Sequence, residues 1–204
     1  MIVTLTGPSC AGKSTLERML VDKGFWRVTS HTTRAPRPGE KHEVDYHFVS
    51  KSEFKRLLVQ GRFVEHAKFG GNYYGAAELE FSYPLGQGKN VVVVMEPQGI
   101  AQFKKAAKER GWPFLSVFVN NPVSVIADRY IIRVLQAARE AYGEGATPDP
   151  KPHVKRLTAM FEQEQFWAVE ARKNDMFDVR FETFDETNAE SIVKFILNHV
   201  KKEQ

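Results

Sequence analysis

Residues Gly7 to Ser14 read GPSCAGKS. Two glycines with four residues between them are followed directly by a lysine and a hydroxyl residue, the pattern of a phosphate-cradling loop. Such a loop aims successive backbone N–H groups at phosphate oxygens, its lysine neutralises the outer phosphates, and its hydroxyl is placed to hold Mg²⁺. The loop points to a user of ATP or GTP, and the candidate nucleotide-contacting set, ATP-binding if ATP is the donor, is Gly7, Ser9, Cys10, Ala11, Gly12, Lys13, Ser14 and Thr15, with Ser14 as the metal-holding residue. Cys10 is read as a small residue tolerated among backbone amides and receives no chemistry of its own. The apolar run Ile2 to Leu5 predicts a short buried strand leading into the loop, and Leu16, Met19 and Leu20 recur at helical spacing after it. The alternative, a tight glycine turn in an α/β protein that binds no nucleotide, is disfavoured because strand, loop and helix follow in the required order.

The bulk properties bound what surrounds this loop. A chain of 204 residues buries about 70% of the surface exposed by its unfolded form, enough for one ordinary core with appended lobes. Hydrophobic residues at 42% and charged residues at 26% match a soluble globular average. No apolar run approaches membrane-spanning length, so no membrane association is expected. The first residues enter a strand directly, without the basic, apolar and small-residue segments of a secretory signal, and a cytoplasmic location is expected. The single cysteine excludes a disulfide framework and a thiolate zinc cluster. His31, His42, His47, His66, His153 and His199 show no recurring ligand spacing, so the only metal expected is Mg²⁺. With 29 basic against 25 acidic residues the net charge is +4. The basic residues are not gathered into one aromatic-interleaved stripe, which speaks against a nucleic-acid partner and for the handling of anionic nucleotides.

A second cluster begins at Ser30, SHTTRAPRPGEKHEVDYHFVS, too polar and turn-rich to be a core element before Tyr46 to Val49. Arg34 and Arg37 alternate with Pro36 and Pro38, which restrict the backbone so that both guanidinium forks can converge on one anion. A third stretch, Glu65 to Gly75, reads EHAKFGGNYYG, and its tyrosines beside Gly71 and Gly75 look like a binding lip. Together with GPSCAGKST, these segments resemble guanylate kinases, strongly over residues 1 to about 110 and more thinly to the C-terminus.

The resemblance implies transfer of the γ-phosphoryl group of MgATP to GMP or dGMP. Arg34, Arg37, Tyr46 and Tyr74 match residues that hold the acceptor phosphate, Ser30 and Glu65 match those that read guanine, and Ala76 and Glu96 fall at further acceptor-site positions. A carboxylate at Glu65 accepts from N1–H and the N2 amine of guanine together, whereas adenine turns its N1 lone pair toward it. The sequence departs from the family at two of these positions: Ala76 replaces a usual serine or threonine, and Glu96 a usual aspartate. Guanine remains the expected base, since the charged Glu65 outweighs one missing hydroxyl. The alternatives are a kinase of the same fold for another or modified nucleoside monophosphate, and a catalytically silent binding module. The resemblance leaves the state as monomer or homodimer.

The expected fold is α/β, a P-loop NTPase-type parallel sheet flanked by helices, with an inserted acceptor lobe and a helical lid. Ser50 and Glu53 form a capping box before a helix that ends by Gly61; Phe63 to Phe69 and the β-branched run Val91 to Met95 read as strands, with Glu96 at the carboxyl end of the latter pointing into the site. Phe114 to Val119 and Phe177 to Phe181 complete the sheet, and Ile192, Val193, Phe195, Ile196 and Val200 form a core stripe on a C-terminal helix. The core is placed at 1–30, 82–122 and 168–204, the acceptor lobe at 31–81 and the lid at 123–167. Prolines and glycines in GEGATPDPKP predict irregular structure at 143–152. By resemblance, lid residues Arg129, Arg133 and Arg156 join Lys13 as catalytic groups closing over the transferring phosphoryl.

Overall fold

A computed structural model describes the chain except residues 38, 146–147, 160–161, 163–168, 170–175 and 203–204, and except the side chains of 141, 152, 155, 156 and 159. β1 (Ile2–Thr6) leads into α1 (Lys13–Asp22), followed by β2 (Trp26–Arg27), β3 (His31–Thr32), β4 (His47–Phe48), α2 (Lys51–Val59), β5 (Phe63–Phe69) and β6 (Asn72–Ala77). Then come α3 (Leu79–Gly86), β7 (Val91–Val94), α4 (Pro97–Glu109), β8 (Phe114–Val119), α5 (Val123–Tyr142), α6 (Pro150–Ala159), β9 (Val179–Phe181) and α7 (Ala189–Lys202).

Five of the strands form a parallel sheet in the order β2-β7-β1-β8-β9. Every residue of β1 is buried, as expected of a strand covered on both faces. Successive side chains alternate between the two faces. Val91 and Val93 pack with Phe81, Ile100 and Phe103 of α3 and α4, while Val92 packs with Leu16 and Leu20 of α1 and Ile192 and Ile196 of α7. Because β1 is central, the loop at its carboxyl end opens onto the middle of the sheet edge, where ligands gather in such folds.

A second sheet, in the order β4-β3-β6-β5, lies within residues 31–77. β5 and β6 form an antiparallel hairpin closed by Gly70 and Gly71, both at positive φ (56° and 81°), a type I′ turn matched to strand twist. The register shifts between Phe63 and Glu65, and Glu65 then stands opposite Ala76.

Several expectations need correction. The core element expected at Tyr46–Val49 is a strand of only His47–Phe48, and the last strand, expected at Phe177–Phe181, is Val179–Phe181. The cap of α2 is only half a capping box: Ser50 Oγ accepts from the Glu53 N–H at 3.1 Å, but the Glu53 carboxylate turns to Arg56 at 2.6 and 2.9 Å instead of reaching back. Regular structure resumes at Pro150, inside the stretch expected to be irregular. Proline is compatible with a first helical turn, whose N–H groups have no intrahelical partner. Phe195, assigned to the core, is 46% exposed and touches Phe181 edge-on, whereas Ile192, Val193, Ile196 and Val200 are buried. Three of the dispersed histidines come within ring contact, His31 and His47 on the second sheet and His42 beside it. Among the described residues no group of His, Cys, Asp and Glu is placed to hold a metal ion by itself, and no helix is long and apolar enough to cross a membrane.

Candidate functional site

Three cavities meet at the loop after β1. The first, about 640 Å³, lies between Gly12–Thr15 and the segment Phe184–Glu190. The second, about 160 Å³, lies between α1 and the chain around Arg27 and Tyr46. The third, about 140 Å³, runs from the loop to Glu65 and Glu96. Ser14 borders all three, and Cys10, Lys13 and Arg133 border both the first and the third.

The loop is held from several sides. Gly12 caps α1 at φ 103° with no side-chain cap over the helix end, leaving that positive terminus to an anion. A Cβ there would overlap the buried Phe184 ring, so glycine is required both for the backbone angle and for the close approach. Asn121, itself buried, donates to the Ala11 and Phe184 carbonyls at 2.8 and 3.2 Å and accepts from the Phe184 N–H at 3.2 Å. The Lys13 ammonium donates to the Gly7 and Pro8 carbonyls at 2.6 and 2.7 Å. Arg129 donates to the Cys10 and Phe184 carbonyls at 3.3 and 2.8 Å, so it braces the loop from α5 while bordering the first cavity.

Of the other residues singled out from the sequence, Gly12 and Thr15 border the first cavity, and Ser9 the third. Ala11 is fully buried and lines none of the three; what it presents is its carbonyl, to Asn121. Arg156 lies on α6, but its side chain is outside the described residues. Arg133 stands over the Tyr130 ring at 5.4 Å, and its charge, after burial and Arg34, helps to push the Arg37 guanidinium below its ordinary value.

Arg34, Arg37, Tyr46 and Tyr74 come together on the third cavity with Ser30, Glu65 and Glu96. The Arg34 guanidinium lies 5.4 Å from the centre of the Tyr46 ring, and the Tyr46 and Tyr74 rings are 6.4 Å apart. Burial pushes the Tyr46 hydroxyl up, so it stays a donor. At the far end Glu65 is 4% exposed. Its carboxyl is pushed up to about 8, chiefly by burial and further by Glu96, against a hydrogen bond from the Ala76 N–H. The Ala76 methyl is fully buried and lines none of the three cavities, while its N–H favours the ionised form of Glu65.

Sequence reasoning missed three parts of the arrangement. Phe184–Glu190 walls the first cavity, yet its only local signal is a helix start, with Asp185 Oδ1 accepting from the Thr187 N–H and hydroxyl at 2.8 and 2.6 Å. Glu17, buried on α1, pairs with Arg27 at 3.0 Å. Burial raises the Glu17 carboxyl despite that partner. Gly99, on the first turn of α4, packs against the Glu65 carboxylate with no room for a Cβ. Gly99→Ala is therefore expected to displace Glu65 and weaken any ligand read by it by about tenfold, with the fold intact; paired calorimetric binding and thermal-melt measurements check this, and unchanged binding would remove the contact from the site.

A glycine-rich loop joining a buried parallel strand to a helix, beside a cationic pocket, defines a P-loop NTPase-type protein. A guanylate kinase family model matches residues 1–144. Guanylate kinases of Trichormus variabilis and Schizosaccharomyces pombe are each 41% identical, over 123 and 117 residues, or 59% and 56% of this chain. The matched stretch spans 60% and 58% of those relatives' own length. The crystal structure of guanylate kinase from Anaplasma phagocytophilum superposes with a TM-score of 0.68 at 25% identity, over all of this chain and 86% of that one. The chain belongs to the guanylate kinase family.

Proposed function

We propose that the protein transfers the γ-phosphoryl group of MgATP to the phosphate of GMP or dGMP, giving ADP and the nucleoside diphosphate. The observation that carries this reading is the shared wall: Lys13, Cys10, Ser14 and Arg133 border both the cavity behind the P-loop and the pocket of Arg34, Arg37, Tyr46 and Tyr74. A donor triphosphate in the first cavity and an acceptor phosphate in the third would meet at these residues.

The acceptor phosphate is already a nucleophile, so the protein needs none of its own. Its work is alignment and charge stabilisation on the transferring oxygens. Arg34 and Arg37 fix the acceptor phosphate with the Tyr46 and Tyr74 hydroxyls. Lys13 exchanges its carbonyl partners for the outer donor phosphates, and Arg133 supplies a second cation at the junction. The Ser14 hydroxyl would hold Mg²⁺ while the loop N–H groups would bind phosphate oxygens, which suits an ion that takes few protein ligands. Once bound, Mg²⁺ neutralises charge on the donor phosphates. Glu65 accepts from N1–H and the N2 amine of guanine, with Ser30 and Glu96 beside it. Closure of α5 and α6, bringing Arg129 and Arg156 with them, would keep water from the phosphoryl group.

The test is ADP release from MgATP with GMP, dGMP, AMP, dAMP, CMP, dCMP, UMP and dTMP supplied singly. Turnover with GMP and dGMP is expected. Turnover confined to another base would assign the specificity to the departures at Ala76 and Glu96, and silence on all eight would favour a binding module.

A further inference from the structure

We infer that Glu40 is a positioning residue for the anion pocket: it holds one edge of the Arg34 guanidinium so that the neighbouring edge is presented to the acceptor phosphate. The inference rests on the reading of that pocket given under the proposed function. Glu40 takes the end-on fork of Arg34, with Nη1 donating to Oε2 at 2.9 Å and Nη2 donating to Oε1 at 3.0 Å. The second Nη1 hydrogen goes to the Ala35 carbonyl at 2.7 Å. A guanidinium carries five N–H bonds in a fixed plane. The two that remain, Nε–H and the second Nη2 hydrogen, have no acceptor among the described residues. They lie side by side on one edge, the geometry that binds a phosphate through two parallel hydrogen bonds.

The cavities separate the two roles. Arg34 borders the third cavity and Glu40 does not; Glu40 borders the second, behind it, while Arg37 borders both. The carboxylate therefore approaches Arg34 from outside the anion pocket. It registers the second arginine as well, because Oε2 accepts the Arg37 backbone N–H at 2.7 Å and Oε1 lies 3.9 Å from Arg37 Nη1. Burial alone would raise this carboxyl, but the hydrogen bonds from Arg34 and the Arg37 N–H, with both positive charges, hold it below the ordinary carboxylate range. It thus stays ionised and offsets the mutual repulsion of Arg34, Arg37 and Arg133 that is felt at Arg37.

The test compares wild type, Glu40→Gln, Arg34→Ala and the double variant. Glutamine keeps the shape of Glu40 but accepts only one of the two Arg34 hydrogens. Two readouts are taken: the Kd for inorganic phosphate, followed for the first two proteins by the Arg34 Nε–H NMR signal and for all four by calorimetry, and the kcat and KM for GMP. Glu40→Gln is expected to weaken phosphate about tenfold and to raise the KM for GMP by a similar factor, with kcat within about twofold, and to add nothing once Arg34 is gone. Tighter phosphate binding in Glu40→Gln would mean that Glu40 competes for Arg34, and an undiminished loss on the Arg34→Ala background would mean that it acts elsewhere; either overturns the inference, as does a fall in kcat at constant KM. The phosphate readout does not depend on turnover, so a wild type that phosphorylates none of the nucleotides would sink the proposed function while leaving this inference to stand or fall on the phosphate Kd.

Discussion

Lys13→Ala is expected to lower turnover by at least about a hundredfold while leaving the Kd for GMP within about threefold. The scale is that of removing one preorganised cation or donor from a developing anion. Lys13 borders both cavities, but its ammonium is held by the Gly7 and Pro8 carbonyls, on the loop side of the junction. The proposed acceptor contacts, Arg34, Arg37, Tyr46 and Tyr74, are untouched by the change. Single-turnover phosphoryl transfer and calorimetric binding of GMP measure the two quantities separately. Retained turnover would remove Lys13 from the chemistry, and loss of GMP binding would place it in the acceptor site instead.

Glu65→Gln is expected to reduce kcat/KM for guanine acceptors by about tenfold or more, since a neutral amide replaces a charged acceptor of two hydrogen bonds. The pH profile carries the sharper expectation. With its carboxyl pushed up to about 8, Glu65 is largely protonated in the free protein at neutral pH, whereas its proposed contact with guanine requires the carboxylate. Because kcat/KM reports groups of the free enzyme, it should climb with pH and level off above about 8, and the climb should vanish in Glu65→Gln. Stability runs the other way. Between the ordinary carboxyl value of 4.5 and about 8 the folded protein holds a proton that the unfolded chain has released, so stability falls as pH rises through that window. Glu65→Gln should flatten that slope too. A flat wild-type profile for kcat/KM would refute the assigned role of Glu65.

The loop at Gly7–Ser14 and the strands and helices around it were legible because their signals are local: a fixed spacing of glycines and lysine, a β-branched run, a helical stripe. β2 and β3 are two residues each, too short to show a period, and β6 carries Gly75 in its interior, so its tyrosines read as a lip and not as a strand. Arg34 and Arg37 stand out by their alternation with prolines and Tyr74 by its neighbouring glycines, whereas Tyr46 and Glu65 were singled out through the family pattern. Glu40, Gly99, Glu17 and Phe184 were not, because each matters through a partner that sequence spacing does not reveal: an arginine fork, a carboxylate, Arg27 and Gly12. Ala76 shows the same dependence on a partner. It faces Glu65 across the hairpin register, and in three dimensions its methyl is covered while its N–H favours the Glu65 carboxylate. Phe195 shows the limit of a helical stripe, whose flank reaches solvent even when its centre is fully covered.

The brace between Ala11, Asn121 and Phe184 also bears on how the protein is made. Ala11 and Asn121 are 110 residues apart in the chain, and Asn121 and Phe184 a further 63. Closing such long loops is slow compared with forming the β5–β6 hairpin, whose strands are joined by two glycines. During synthesis the P-loop sequence emerges well before the wall that completes its cavity, which leaves the ribosome only after Phe184 has been added. Protection of nascent chains by ATP should accordingly set in late and abruptly, making the nucleotide a reporter of finished assembly instead of a template for it.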